Sequence, residues 1–233
     1  MIVSIHQPHF LPWLGYWNKV LSSDVFVWLD AVQYRKNYYQ NRTPIKNVDG
    51  KPLWLTLPVH AHLGTSIAEV TIAESDWHER VRRRVEQCYG KTPFFQRCWP
   101  PISLAMAQAS ESLNDVNSRA FHAVLDLLGA GDLRVTPVGS LPVTSTDPTE
   151  RLVEACRALG AKRYIAGRGG RNYLRVEEFE KAGIDVIWQE FDPARVVYEQ
   201  GSGPFLPGLS VIDSLFHVGP DATRELINEA WSP

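Results

Sequence analysis

Cysteine is scarce. Cys88, Cys98 and Cys156 are the only three in 233 residues, an odd and widely spaced set that forms neither a disulfide framework nor a zinc ribbon. Such a count points to reduced thiols and a cytoplasmic setting. Long apolar runs are missing as well. No stretch approaches the roughly 20 residues a membrane span needs, and the opening MIVSIHQPHF has neither the basic start nor the apolar centre of a secretory signal. The formal net charge is only −2, which removes any global pull toward nucleic acid or an acidic membrane surface. Metal-ligand spacing is lacking: His60 and His62 lie close together without a third ligand nearby. Repeats and low-complexity tracts are absent too. What remains is an ordinary globular composition, 44% hydrophobic and 21% charged, read as one α/β domain over residues 1–233.

The segment pattern supports that class. Ile2–Ile5 reads as a short buried strand. His6–Pro12 cannot be regular helix, because Pro8 and Pro12 fix φ and restrict the residues before them. Trp13–Leu21 then reads as a helix and Asp24–Leu29 as a second strand, a compact βαβ unit. Residues 31–47 show no clean period and read as loop or irregular strand. Further strands are expected at Leu53–Val59, Ile67–Ile72, Leu133–Val138, Arg163–Ala166 and Asp185–Phe191. Helices are expected at Trp77–Tyr89 (with Asp76 as cap), Phe94–Ala109, Ser112–Leu128, Thr149–Leu159, Val176–Ala182, Leu209–Phe216 and Ala222–Trp231. The alternation predicts a mostly parallel central sheet with flanking helices and a helical insertion at about residues 76–128.

Several clusters carry chemistry. His6, Gln7 and His9 leave the end of the first strand, where α/β proteins build ligand sites. His6 can exchange a proton near neutral pH, and Gln7 both donates and accepts. The H-x-x-H spacing is weakly similar to that of nucleotidyltransferases, where such histidines contact ATP phosphates. Trp13, Tyr16 and Trp17 fall on one helical face, as a stacking platform or as plain core, with Lys19 as an anion contact or a solvated charge. Asp30 and Gln33 follow the second strand; if the two strands are parallel neighbours, Asp30 reaches the same sheet edge as His6 and can orient it. Tyr34, Arg35, Lys36, Asn41, Arg42 and Lys46 make a cationic, amide-rich stretch suited to phosphate. Gly167, Gly169, Gly170 and Tyr173 belong to a glycine loop between strand and helix, able to cradle an anion but without dinucleotide or P-loop spacing. Asp213 sits in the apolar run LSVIDSLF, as a cap partner or an inward-reaching site residue.

The blocks HQPHFLPWLGYWNKV, SDVFVWLDAVQYRKNYYQNR, LWLTLPV, YIAGRGGRNYL and LSVIDSLFHVGP resemble the WbqC-like proteins over nearly the whole chain. The matching positions are His6, Gln7, Pro8, Leu11, Pro12, Trp13, Gly15, Lys19, Asp30, Gln33, Arg42, Gly167, Tyr173 and Asp213; Ala31 departs from the acid or amide the family carries there. The resemblance implies an accessory enzyme of O-antigen or related biosynthesis, and a glycine transferase acting on an amino sugar. Three functions are therefore weighed. In the first, an aminoacyl or acyl donor, brought by a carrier protein or tRNA, is attacked by the amine of a nucleotide-linked amino sugar, with His6 and Asp30 as catalytic pair. In the second, the H-x-x-H histidines and the glycine loop hold ATP, and the product is an adenylate. In the third, the chain is a non-catalytic subunit of a biosynthetic complex. Homo-oligomerisation stays open, and no cofactor other than ATP is indicated.

Overall fold

In the computed structural model, which describes residues 1–108 and 110–233, the chain begins with β1 (Ile2–His6), α1 (Leu14–Leu21) and β2 (Val25–Trp28). A long excursion follows: the hairpin β3 (Arg42–Lys46) and β4 (Pro52–Thr56), the small pair β5 (Val59–His60) and β6 (Thr71–Ile72), then helices α2 (Trp77–Tyr89), α3 (Phe95–Ala107) and α4 (Leu113–Leu127). The chain returns to the sheet with β7 (Arg134–Pro137), α5 (Pro148–Ala158), β8 (Arg163–Ala166), α6 (Val176–Lys181) and β9 (Asp185–Trp188), and ends with α7 (Val211–His217) and α8 (Gly219–Glu229). The central sheet is all parallel, in the order β7-β2-β1-β8-β9. This is the expected α/β class with a parallel sheet, flanked by helices.

The pleat sorts the side chains. Val25, Val27 and Leu29 join Val3 and Ile5 on one face, against Leu152, Val153 and Phe179 of α5 and α6. Phe26 and Trp28 face the other way and pack with Trp17 and Phe121, whose rings stack at 4.8 Å. Successive strand residues point to opposite faces, so a fully buried strand is apolar on both. The excursion between β2 and β7 contributes Phe121, Trp99 and Tyr89 to that second face, which is why its helices are packed rather than pendant.

Three local expectations change. Ile67–Ile72 is not a continuous strand: Ile67–Glu69 is a 3-10 turn closed by a Ser66/Glu69 capping box, and only Thr71–Ile72 pairs. Arg42–Lys46, inside the stretch read as irregular, is a regular hairpin strand. Asp76 precedes α2 but makes no side-chain cap. The end placed at Ala109 for the third helix lies outside the described residues; the helix runs over Phe95–Ala107. Among the described residues, no helix is long and apolar enough to cross a membrane.

Candidate functional site

The order of strands fixes where a ligand can enter. From β1 the chain moves outward through β2 to β7, then jumps back across β1 to β8 and continues to β9. The loops after β1 and β8 therefore run away from each other, and their divergence opens a crevice at the carboxyl ends of the strands. Open α/β sheets bind ligands at such a switch point.

A groove occupies that position. Its inner compartment, about 440 Å³, is lined by His6, Gln7 and Lys19 on one side and by Gly167, Gly169, Gly170 and Tyr173 on the other. An outer compartment of about 830 Å³ adds Gln33, Lys36, Leu63 and Arg151. Gln7, Leu29, Arg35, Leu152 and Tyr173 line both, so the two are contiguous. Lys19, Arg35, Lys36 and Arg151 bring four cations to these walls, and among the described residues no aspartate or glutamate lines either one. In a chain of net charge −2, that segregation makes the groove suited to an anionic ligand.

The loop that follows His6 is held under strain. Leu11 is buried with φ +44, a left-handed conformation that a branched residue adopts only when its surroundings impose it. They do: the Leu11 carbonyl accepts from the hydroxyls of Thr43 at 3.0 Å and Ser210 at 2.6 Å. Farther back, Phe10 N–H donates to the Tyr39 carbonyl at 2.9 Å. The β1 loop is thus clamped between β3 and the start of α7.

His6 Nδ1 lies 3.0 Å from the Gln7 carbonyl. A carbonyl only accepts, so Nδ1 carries the hydrogen and Nε2 the lone pair. Burial, then the nearby Lys19 charge, lowers the imidazole from its ordinary value to about 3; the Gln7 bond works in the opposite direction. His6 is accordingly neutral at physiological pH. Lys19 is 4% exposed and donates to the Ile5 carbonyl at 2.8 Å. Burial lowers its ammonium to about 7. Gln7 is fixed through its side chain: Gln40 Nε2 donates to Gln7 Oε1 at 2.8 Å, and Arg35 N–H donates to Gln40 Oε1 at 2.7 Å.

On the other wall, Arg168–Asn172 forms a single 3-10 segment after β8. It is tied to the start of α5, where Thr149 Oγ1 donates to the Tyr173 carbonyl at 3.3 Å and Arg175 pairs with the cap residue Asp147 at 2.7 Å. Asp147 also accepts from Thr149 N–H and Glu150 N–H, both at 2.9 Å.

Not every candidate comes to the groove. β1 and β2 are parallel neighbours, with His6 opposite Trp28, so Asp30 does stand at the same sheet edge. Its carboxylate accepts from Asn114 Nδ2 at 3.0 Å, however, while Asn114 Oδ1 accepts from Trp28 Nε1 at 2.8 Å. Asp30 is turned toward α4, and among the described residues it makes no hydrogen bond to His6 and lines neither compartment. His9 is 4% exposed, stacked on Tyr39 at 5.6 Å with both ring nitrogens unbonded; it packs beside His6 at 4.7 Å but does not reach the groove.

The three aromatics separate. Trp13 packs edge-on to Phe191 at 5.4 Å, and Gly15 leaves room for its indole. Tyr16 is buried with its hydroxyl on the Gln7 carbonyl at 3.1 Å, and Trp17 is core. The reason is positional: Trp13 caps α1 in extended backbone instead of lying on its surface. Arg42 leaves the phosphate-binding candidates as well, with its guanidinium 4.2 Å over Trp54 and bonded to the Asn37 carbonyl. Asp213 is fully buried elsewhere, where Tyr89 and Tyr198 donate to its two oxygens at 2.8 and 2.9 Å. Burial raises its carboxyl above the usual range. Lys46 bonds the Pro204 carbonyl and lines a different cleft with Tyr89 and His217.

Sequence reasoning missed Arg151, which lies on the first turns of α5 four residues after the cap. It also left Arg35 inside a general cationic loop and passed over Gln40, whose side chain sets Gln7. An Asp-Pro helix start near a sheet edge was the available signal for Arg151.

A doubly wound α/β protein with a cationic, acid-free groove at its switch point is the class that fold and site define. The chain belongs to the WbqC-like protein family, which matches it over residues 7–225. It is 32% identical over 226 residues to the uncharacterised protein Rv1507c of Mycobacterium tuberculosis, covering 94% of this chain and 95% of that protein. No solved structure matches the chain.

Proposed function

We propose that the protein is an amide-forming transferase acting on the amine of a nucleotide-linked amino sugar, in polysaccharide or related biosynthesis. The observation that carries the reading is the two-compartment groove, with four cations and no carboxylate on its walls. A pyrophosphate fits the junction of the two compartments, which Arg35 lines on both sides, with Lys19 inward and Lys36 and Arg151 outward, Arg offering bidentate contacts. The amine would then reach the inner compartment beside His6. There the amine nitrogen attacks the acyl carbon of an ester or thioester donor, a C–N bond forms and the bond to the donor's oxygen or sulfur breaks. The amine proton passes to His6 Nε2, and the departing group takes a proton in turn. Family membership supports the biosynthetic context, and the donor is of the aminoacyl class.

His6 acts here without Asp30, whose carboxylate serves Asn114. General-base help is worth about 10² to 10⁴ in rate for a base tuned near the working pH, and an imidazole lowered to about 3 works at the low end of that range. The test is direct: incubate the protein with a glycyl-tRNA or glycyl-carrier donor and a UDP-linked amino sugar, and look for the amide by mass spectrometry. Product that depends on His6 supports the reading. Absence of product with every donor, or turnover undiminished in His6→Ala, removes it. Pyrophosphate release from ATP in the same mixture would favour adenylate formation instead.

A further inference from the structure

Lys19 lacks what a buried ammonium normally has. It is 4% exposed, and among the described residues its one hydrogen-bond partner is the neutral Ile5 carbonyl. The groups facing it are His6 from the end of β1, His9 from the loop after it, Cys156 from α5, and Tyr164 from β8, whose ring centre is 5.9 Å from Nζ. None supplies a negative charge at neutral pH: burial pushes the Cys156 thiol up to about 12 and the Tyr164 phenol well above its ordinary value. Buried charges are otherwise paired or given up, and burial draws Lys19 down to about 7.

A second feature stands on the facing wall. A Cβ built on Gly167 or Gly169 would meet no protein atom within 4 Å, and neither residue has a left-handed φ. Neither the protein's packing nor its backbone conformation asks for glycine at these two places. What they leave is bare backbone open to the compartment that Lys19 also lines, the arrangement that lets a ligand approach the main chain closely.

We propose that the inner compartment is an anion site in which the ligand supplies the counter-charge that the fold withholds from Lys19. The anion lies against Lys19 and the open faces of Gly167 and Gly169. Its arrival makes the charged ammonium the favoured form, so binding above neutral pH takes up a proton. A pyrophosphate and a carboxylate share this chemistry. The inference rests on the proposed function for the choice of groove, and it requires no transfer reaction.

The experiment is calorimetric titration with two probes, UDP-glucose and acetate, whose charges are constant between about pH 6 and 8.5. Each is run in buffers of different ionisation enthalpy, on wild type, Lys19→Gln and Lys19→Arg. For at least one probe, affinity should fall about tenfold per pH unit above about 7, with uptake approaching about one proton at about pH 8.5. Lys19→Arg, charged throughout, should bind without proton uptake, and Lys19→Gln should lose it along with most of the affinity. Which probe responds separates pyrophosphate from carboxylate. Failure of both to bind wild type, or binding without proton uptake in wild type, overturns the proposal whatever the variants do; so does uptake that persists unchanged in Lys19→Gln. Proton-linked binding in a protein that forms no amide would defeat the proposed function and leave this inference standing.

Discussion

The ammonium of Lys19 is hydrogen-bonded to the carbonyl of Ile5, the residue directly before His6, at 2.8 Å. That one contact ties α1 to the end of β1 and sets a positive charge beside the imidazole. Its cost and its use are both measurable.

The cost appears as a pH dependence of stability. Lys19 has a folded pKa of about 7, below the 10.5 ordinary for lysine. Between these values the unfolded chain binds more protons, so stability rises with pH in that window and is lost as pH falls toward 7. His6, lowered from 6.5 to about 3, adds a second loss as pH falls between those values. Urea midpoints of the ligand-free protein should therefore climb between about pH 7 and 8.5, below the range where the buried thiols of Cys98 and Cys156, both raised by burial, pull the other way, and Lys19→Met should flatten the slope in that window. An unchanged slope in Lys19→Met would show that Lys19 titrates normally.

Gly167 separates stability from binding. Its φ of −74 and ψ of 162 are open to any residue, and a Cβ there meets nothing. Gly167→Ala should leave unfolding free energy unchanged or raised by about 0.4–1 kcal/mol through the unfolded chain. Affinity for UDP-glucose should drop at least about tenfold as the methyl enters the groove. Calorimetry and urea unfolding on the same sample check both halves.

His6 and Asp30 should behave differently despite sharing a sheet edge. In the amide-forming assay, His6→Ala should lose about 10² in kcat/KM, the low end of general-base help. Asp30→Asn keeps an oxygen for Asn114 and should stay within a few-fold of wild type. A loss in Asp30→Asn equal to that in His6→Ala would mean that the two side chains meet during turnover.

Asp213 should prove structural. Its two oxygens accept from Tyr89 and Tyr198, and the His217 ring is bonded to its carbonyl at 2.8 Å. Asp213→Ala strands two buried phenols and should cost about 2–5 kcal/mol in urea unfolding. Affinity for UDP-glucose, measured below the unfolding transition, should remain near wild type.

Much of the frame was legible because its signals are local. Pro8 and Pro12 break the chain after β1, the apolar run Val25–Trp28 marks a buried strand, and Asp147-Pro148 starts α5 with the expected cap. From these come the parallel sheet and the sheet edge at which His6 stands. What failed depends on partners far away in sequence. Asp30 looked like a mate for His6 until Asn114, 84 residues on, claimed it. Asp213 is explained by Tyr89, 124 residues before it. Arg42 resembled a phosphate ligand but stacks on Trp54 across the hairpin. Lys19 was legible only as an anion contact or a solvated charge; that it is buried without an acid follows from the packing of α5 and β8 around it.

The most direct measurement is amide chemical-shift mapping of the full chain with UDP-glucose. The account predicts perturbations concentrated at His6, Gln7, Lys19, Arg35 and Gly167–Tyr173, on the two loops that diverge at the switch point. Perturbations gathered instead around Tyr89, Gln200 and His217, or none at saturating probe, would contradict it.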